Sequence, residues 1–300
     1  MLQTLTMLFF SPTGGTLRAA RLLAQGLAEE ITEVDLSLPQ GKAMHFEEKD
    51  IVLIAGPVFG GRMPACFLER LARFTGSYTK AITIAVYGNR AYEDALLELN
   101  DTVERRGFQS IASAALLAEH SMVRTVAAGR PDQEDQKQIS RLAQAILNKV
   151  NSGQFASPEV PGNRPYKVWK QMPVVPEVSS VCIHCGLCAV RCPVGAIPLK
   201  HPDRTEASQC ILCLRCIAVC PKAARALPAQ AEETIRVKLA PVETLRRDNE
   251  LFLQRLRREK SRRRLLSFSR DRCIIATRKK SLEVVEFGKR YNYQPSAHPA

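Results

Sequence analysis

Two copies of one cysteine spacing, lying between Cys182 and Pro221, constrain this chain more than any other feature. Each copy reads C-x-x-C-x-x-C-x-x-x-C-P, and together the copies hold eight of the ten cysteines. Closely spaced thiolates can each bind one corner of an iron-sulfur cube, and the remaining thiolate must come from elsewhere in the chain. The spacing therefore predicts two [4Fe-4S] clusters built from interlocked runs.

The fourth cysteine of each run is expected to bind the cluster of the other run. One predicted cluster has the ligands Cys182, Cys185, Cys188 and Cys220, and the second has Cys210, Cys213, Cys216 and Cys192. The proline that closes each run turns the chain away from the cluster, and Gly186 in the first run lets the backbone approach sulfur. Leu214 occupies the equivalent position in the second run.

Disulfide bonds and structural zinc are the alternatives for these cysteines. A disulfide framework requires an oxidising compartment, and the segment Met1 to Phe10 lacks the basic residues of a secretory signal. Structural zinc sites usually show separate C-x-x-C pairs, whereas each run here has four cysteines followed by proline. Two iron-sulfur clusters in a cytoplasmic protein are therefore favoured.

The composition, with 45% hydrophobic and 24% charged residues among 300, predicts a soluble globular protein of about two domains. No apolar run reaches the roughly 18 residues that a membrane-spanning helix needs. The formal net charge of +13 is concentrated in residues 241–300, which carry 16 Lys and Arg against 7 Asp and Glu. This basic tail could contact an acidic protein, a membrane surface or RNA, but a solvated end is favoured and nucleic-acid binding is not expected.

Residues 1–150 alternate between strand and helix patterns. Five strands are predicted. Apolar runs predict four of them, at Leu2–Phe10, Asp50–Ala55, Ala81–Tyr87 and Ile111–Ala118, and an alternating pattern predicts the fifth at Ile31–Leu38. Apolar residues at helical spacing predict the intervening helices, at Leu17–Glu30, Pro64–Phe74 and Tyr92–Arg106. A closing helix is predicted to begin after Pro131, with an apolar stripe of Ile139, Leu142, Ala143, Ile146 and Val150. This alternation predicts an α/β domain with a doubly wound, five-stranded parallel sheet.

The rest of the chain divides by composition. Residues 151–178 are dense in Pro and Gly, which predicts a linker that packs along a surface instead of forming regular structure. Residues 179–228 hold the cysteine runs and are expected to form a small α+β domain. Residues 229–300 are predicted to be a basic, partly helical extension, because Leu245, Asn249, Phe252 and Leu256 keep a helical spacing.

The turn after the first strand has the composition of a phosphate-binding loop and reads Ser11-Pro12-Thr13-Gly14-Gly15-Thr16. Its hydroxyl groups and the backbone amides of the next helix can donate hydrogen bonds to phosphate, and Gly14 and Gly15 permit a tight reversal. The loop lacks lysine and matches neither G-x-x-x-x-G-K-[ST] nor G-x-G-x-x-G. A monophosphate is therefore favoured over a nucleoside triphosphate, and a plain helix-capping turn is the alternative.

Two more glycine-rich turns follow the third and fourth predicted strands. Ligands of open α/β sheets bind beyond the carboxyl ends of the strands, so these turns are expected to enclose a flat heterocycle. The candidate residues are Pro57, Val58, Phe59, Gly60 and Gly61 in one turn and Tyr87, Gly88, Asn89, Arg90 and Tyr92 in the other.

The loop from Ser11 to Thr16 resembles, position by position, the S/T-x-T-G-x-T loop that holds the FMN phosphate in flavodoxins. The resemblance implies that residues 1–150 have a flavodoxin-like fold, that the two further turns enclose the isoalloxazine ring, and that Tyr92 stacks on it. With a two-cluster, ferredoxin-like domain attached, residues 1–253 are similar to the flavodoxin-ferredoxin fusion family of bacteria and archaea. The basic tail has no counterpart in this resemblance.

Four other residues could carry chemistry, and a structural role is favoured for each. His184 is interpreted as a loop residue within the first run, and Cys66 as a buried core thiol. His120 could approach a flavin edge, although a capping or surface role is favoured. Cys273 lies in the tail without a partner in the sequence pattern.

These features predict an electron-transfer protein that passes single electrons between two [4Fe-4S] clusters and FMN, and serves as a relay between other redox proteins. The donor, the acceptor and the oligomeric state do not follow from the sequence. No paired acid and base accompany the flavin turns, so whether the protein is an enzyme is left open. The alternatives are a flavin-dependent reductase of a small substrate and a redox-sensing or nucleic-acid-binding protein that uses the tail.

Overall fold

A parallel β-sheet forms the centre of the N-terminal half, with strands close to the predicted positions. The structure is a computed structural model that describes residues 1–38 and 43–254. Its strands are β1 (Leu2–Phe9), β2 (Ala28–Asp35), β3 (Met44–Phe46), β4 (Ile51–Pro57), β5 (Phe74–Gly76), β6 (Thr79–Tyr87), β7 (Phe108–Leu117), β8 (Glu177–Val178), β9 (Arg225–Ala226) and β10 (Glu250–Phe252). Its helices are α1 (Gly15–Leu27), α2 (Ala65–Leu71), α3 (Ala95–Glu104), α4 (Gln133–Ser152), α5 (Leu187–Val190), α6 (Arg215–Ala218) and α7 (Ala229–Glu243). None of these helices is long and apolar enough to cross a membrane.

The main sheet has the strand order β10-β7-β6-β4-β1-β2, and a separate parallel pair is formed by β3 and β5. All neighbours in the main sheet are parallel except β10, which pairs antiparallel with β7. The five parallel strands, numbered among themselves, run 2-1-3-4-5, which is the flavodoxin-like order. The winding reverses between β1 and β4, so these strands flank the point at which such sheets bind their ligands.

Both faces of the sheet are covered by helices, which explains why a central strand such as β4 reads as a continuous apolar run. In β4, every residue from Val52 to Gly56 is buried. α1 and α4 pack on one face, where Leu23 and Ile146 are fully buried. α2 and α3 pack on the other face around Phe67 and Leu99. The predicted α/β architecture is therefore confirmed for the N-terminal half.

The helix predicted around residues 245–256 is wrong, because Glu250–Phe252 form β10 and add a sixth, antiparallel strand to the sheet. The edge of β7 offers unpaired backbone groups, and Asn249 holds the incoming segment. Its Oδ1 accepts a hydrogen bond from the Leu117 amide at 2.9 Å, and its Nδ2 donates to Asp135 Oδ1 at 2.8 Å. Hydrogen bonds to residues distant in sequence thus outweigh the helical spacing of the apolar residues in this segment.

The cysteine-rich residues 179–228 form two one-turn helices, α5 and α6, and a small antiparallel ladder of β8 and β9. Leu212, Leu214 and Leu227 form an apolar cluster at its base. This small α+β region is ferredoxin-like, as predicted. It belongs to one compact unit with the sheet.

The proline-rich linker lies against α3. The Asp94 carboxylate accepts hydrogen bonds from the amides of Asn163 at 2.8 Å and Lys167 at 2.6 Å. Arg164 Nε donates to Asp101 Oδ2 at 2.8 Å. The linker is therefore fixed along the surface of the sheet domain. Residues 255–300, which include Cys273 and most of the predicted basic tail, lie outside the described residues.

Candidate cofactor sites

The cysteines predicted to bind the first cluster surround one cavity. Cys182, Cys185, Cys188 and Cys220 line a partly open space with about 350 Å³ of empty volume. The first three belong to one run and Cys220 ends the other, so the fold brings the end of the second run to the first. Four thiols around a single cavity fit the ligand requirement of a [4Fe-4S] cube.

The thiols of the second set, Cys192, Cys210, Cys213 and Cys216, are close enough to interact electrostatically. Burial raises the pKa of Cys213 to about 12 and that of Cys216 to about 11. The amide of Ala196 donates to Cys192 Sγ at 3.3 Å, and the amide of Leu212 donates to Cys210 Sγ at 3.4 Å. Such donors stabilise the thiolates that metal binding requires, so this set also fits a cluster.

The two runs share the same unusual backbone conformations. Three positions at equal offsets in each run have positive φ, namely His184, Gly186 and Gly195 in the first and Leu212, Leu214 and Ala223 in the second. A left-handed conformation costs a non-glycine residue about 1–2 kcal/mol, and the second run has no glycine at any of the three positions. His184, one of these positions, is an exposed loop residue as predicted, and its Nδ1 lies 3.9 Å from Asp203 Oδ1.

Arg225 is a buried cation that lies between the two cysteine sets. It lines the cavity of the first set and donates to Thr205 Oγ1 at 2.8 Å. Burial raises the thiol pKa of Cys210 and Cys216, and the charge of Arg225 opposes that increase. The described residues place no carboxylate within ion-pair distance of Arg225. A buried charge normally requires a counter-charge, and negatively charged clusters would supply it.

Arg215 is a second buried cation of this kind, with 8% of its surface exposed. Its amide hydrogen-bonds to the sulfur of Cys213, and its Nη1 donates to the main-chain oxygens of Ser11 at 3.3 Å and Pro12 at 3.5 Å. Its Nε is buried without a hydrogen-bond partner in the described residues. Arg215 therefore connects a predicted cluster ligand with the loop that follows β1.

A cleft with about 700 Å³ of empty volume opens at the carboxyl ends of the parallel strands. The loops after β1, β4, β6 and β7 line it, as in other doubly wound sheets. The predicted flavin-binding residues that line it are Thr13, Gly15, Thr16, Pro57, Val58, Phe59, Gly60, Gly61, Tyr87, Gly88 and Arg90. The fold thus gathers all three predicted turns into one site.

The loop between β1 and α1 leaves donors free for an anion. Gly14 has φ 90°, a left-handed conformation suited to glycine, and it has no side chain to cap α1. Ser11 is buried behind the loop, where its Oγ accepts the amide hydrogen of Leu17 at 3.0 Å. The remaining amides at the start of α1 and the hydroxyls of Thr13 and Thr16 can donate to a ligand. The loop therefore fits the phosphate of FMN.

Two predicted flavin residues are turned away from the cleft. Tyr92 is buried against Tyr87, with ring centroids 5.3 Å apart, and its hydroxyl donates to Glu250 at 3.0 Å. The prediction that Tyr92 stacks on the flavin is therefore corrected, because β10 provides a partner that holds the ring inside the core. Asn89 is 1% exposed and donates to the carbonyl oxygen of Val242 at 2.7 Å, so it anchors α7 to the turn.

The cleft has lining residues that were not among the predicted flavin-binding residues, including Pro12, Val86 and Ala91. The turn after β7, Ala118–Ser121, lines the cleft, as does Cys213 of the second cysteine set. Trp169 of the linker packs on Gly60, where a Cβ would lie 2.7 Å from the ring. The turn after β7 could have been included because it follows a parallel strand, whereas no local signal marks Cys213 or Trp169.

His120 forms part of the cleft wall as a neutral imidazole. Its Nδ1 accepts hydrogen bonds from the amides of Met122 at 3.3 Å and Val123 at 3.1 Å, so the ring proton resides on Nε2. Burial and the nearby charge of Arg90 lower the pKa of His120 to about 4. The described residues offer no acceptor for this Nε2 proton, so it is available to a molecule in the cleft.

Residues 181–224, which include both cysteine runs, match the family model of the 4Fe-4S dicluster domain. No curated protein matches the chain. Several solved structures are similar to part of the chain at low sequence identity. A short-chain flavodoxin associated with a non-canonical PDU bacterial microcompartment is 15% identical over 49% of this chain and 98% of its own, with a TM-score of 0.35. A flavodoxin of Streptococcus pneumonia TIGR4 is 18% identical over 49% of this chain and 99% of its own, with a TM-score of 0.34.

A Fusobacterium nucleatum flavodoxin bound to flavin mononucleotide is 11% identical over 51% of this chain and 99% of its own, with a TM-score of 0.35. The strand order of the sheet itself identifies the flavodoxin-like fold. The chain therefore carries a flavodoxin-like domain followed by a 4Fe-4S dicluster domain.

Proposed function

We propose that the protein is an electron relay that holds FMN in the cleft and one [4Fe-4S] cluster in each cysteine set. The observation that carries the proposal is the position of Cys213, which belongs to the second set and also lines the cleft. A group bound in the cleft would therefore lie beside the second cluster. Proximity of this kind is what electron transfer between cofactors requires.

FMN supplies two-electron chemistry that can proceed in single steps, and each cluster supplies a one-electron couple. The chain positions these groups and adjusts their surroundings. Thr13, Thr16 and the start of α1 bind the phosphate, and the glycine-rich turns leave space for the ring. Amide donors to the thiolates and the buried charges of Arg215 and Arg225 stabilise reduced clusters.

The two cysteine sets have different surroundings, which supports an order for the relay. The second set is next to the cleft, and Cys213 is half-buried there. The first set is at the surface, where Cys185 is exposed. Electrons would therefore pass between a partner protein and the FMN through the first cluster and then the second. Thiolate ligands of this kind require a reducing compartment such as the cytoplasm.

A flavin-dependent reductase of a small substrate is the second candidate function. His120 favours it, because a neutral imidazole with a free Nε2 proton could donate that proton to a substrate or orient its carbonyl group. The redox-sensing or RNA-binding alternative depends on the tail, which lies outside the described residues. Turnover of small carbonyl or nitro compounds by the reduced holoprotein separates the reductase from the relay.

Anaerobic purification followed by iron, flavin and zinc quantification tests the proposal. We expect about eight irons and one FMN per chain, with EPR signals of two reduced clusters. Reduction of the clusters by dithionite should be followed by reduction of the FMN within the same molecule. Bound zinc in place of iron, or a protein that binds no FMN after reconstitution, would contradict the relay.

A further inference from the structure

Exposed apolar side chains are concentrated around the first cysteine set. Of the eleven large hydrophobic residues that are exposed in the described part of the chain, five lie between residues 181 and 199. We name them the outer patch, and they are Val181, Ile183, Leu187, Val190 and Leu199. Clusters of exposed apolar residues of this kind mark interaction sites more often than isolated ones do.

The outer patch surrounds the cavity of the first cluster. Ile183 and Leu187 line that cavity, and Leu187 and Val190 lie three residues apart on α5, on the same side of the helix. Leu199 Cδ1 lies 3.1 Å from the position that a Cβ on Gly186 would take. The apolar side chains of the outer patch therefore lie near one another and near the exposed Cys185.

The charged residues around the outer patch are mainly basic. Between residues 181 and 222, the exposed charged side chains are the basic Arg191, Lys200, Arg204 and Lys222 and the acidic Asp203 and Glu206. Lys222 lines the cluster cavity itself. One of the two carboxylates, Asp203, faces the ring of His184. The charge of this rim complements an acidic partner surface.

The chain's own C-terminal residues are a poor occupant for this surface. Residues 255–300 carry 14 Lys and Arg against 4 Asp and Glu, so the basic rim would repel them. An anionic membrane would match the charge, but it brings no redox group to the cluster. Cys185 is exposed and lines the same cavity as Ile183 and Leu187 of the patch, which favours an occupant that exchanges electrons.

We propose that the outer patch is the docking surface for an acidic electron-carrier protein, whose redox group approaches the first cluster. This inference rests on the proposed relay function and adds its point of entry and the charge of its partner. Apolar contact around the cluster excludes water, and the basic rim steers and orients the acidic carrier.

Stopped-flow reduction of the holoprotein by a reduced acidic two-iron ferredoxin tests this docking surface. Lys200→Glu and Val190→Glu are the test variants. Lys238→Glu and Val237→Glu, at exposed positions on α7, are the matched controls, and Val190 and Val237 are each 63% exposed. We expect the second-order rate constant at low salt to fall about tenfold in the test variants and by less than about twofold in the controls.

The wild-type rate constant should also decrease as salt is added, and Lys200→Glu should weaken that dependence. Iron content and reduction by dithionite serve as the readouts of cluster integrity, and both should be unchanged. A protein that lacks iron or resists dithionite in its wild-type form would refute the relay itself. Equal ferredoxin rates in test and control variants would overturn the docking surface, as would variant-sensitive binding to phosphatidylserine vesicles without any effect on those rates.

Discussion

Arg215 Nη1 lies 3.3 Å from the main-chain oxygen of Ser11, although the two residues are 204 positions apart. The contact joins the dicluster domain to the loop that is expected to bind the FMN phosphate. Because the amide of Arg215 also reaches the sulfur of Cys213, one residue touches both candidate sites. The flavin loop therefore depends on the dicluster domain for part of its support.

Arg215→Gln should weaken FMN binding. The substitution removes a charged donor to the loop carbonyls, a contribution of about 1.5–3 kcal/mol for hydrogen bonds of this type, which corresponds to roughly a tenfold or greater rise in Kd. Flavin fluorescence titration of the full chain measures the change. Arg236→Gln, at an exposed arginine paired with Glu233, is the control and should leave the Kd unchanged. Equal affinities in both variants would show that the contact does not support the loop.

Cys220→Ser should remove the first cluster and leave the second. Iron content should fall from about eight to about four per chain, and the remaining EPR signal should belong to the cluster beside the cleft. Cys66→Ser is the control, because burial raises the pKa of that thiol to about 11 and it lies outside both sets. If the folded Cys220→Ser variant lost all of its iron, the result would contradict the assignment of the two clusters to separate cysteine sets.

FMN binding should quench the fluorescence of Trp169. This residue is the chain's single tryptophan and packs on Gly60 at the edge of the cleft. A flavin ring bound there would lie close enough to accept its excitation energy. Emission at tryptophan wavelengths during FMN titration of the cluster-loaded protein measures the effect. Trp169→Phe is the control for background, and an unchanged emission in wild type on saturation with FMN would place the ring elsewhere.

His120→Asn should reduce the loss of stability at mildly acidic pH. The pKa of His120 is about 4 in the folded protein and about 6.5 in an unfolded chain, so its contribution is present above pH 6.5 and is lost as pH falls toward 4. Between pH 7 and pH 5, wild type should lose about 2 kcal/mol more unfolding free energy than the variant. Urea unfolding at both pH values measures this, and parallel losses would refute the buried neutral imidazole.

Asn249→Ala should destabilise the sheet domain by about 2–4 kcal/mol. The amide of Leu117 would lose its acceptor, and the buried Asp135 and Gln138 would each lose a donor. Urea unfolding of the full chain at neutral pH measures the change. Asn148→Ala on the surface of α4, where the side chain accepts from Gln144 at 3.0 Å, should cost less than about 0.5 kcal/mol. A similar small loss in both variants would mean that β10 is held by other contacts.

Local sequence patterns predicted the strands and helices whose apolar residues follow a regular spacing along the chain. β4 reads as an uninterrupted apolar run and β6 as a mainly apolar one because both faces of the sheet are covered, and α4 shows a helical stripe that includes Ile139 and Ile146. The helix predicted near Asn249 failed because its apolar residues fit a helix and a short edge strand equally well. Hydrogen bonds to Asp135 and Leu117 decide between them.

The candidate sites divide in the same way. The sequence alone determined the two cysteine runs, the candidate phosphate loop at Ser11–Thr16 and the alternation that places this loop at a strand end, because each is a local pattern with a direct chemical requirement. Only the tertiary structure decided that Cys213 and His120 line the cleft, that Tyr92 is turned into the core, and that the first set lies at the surface. Those outcomes depend on contacts between segments that are far apart in the chain. Such contacts produce no repeating residue pattern in either segment, so the sequence does not reveal them.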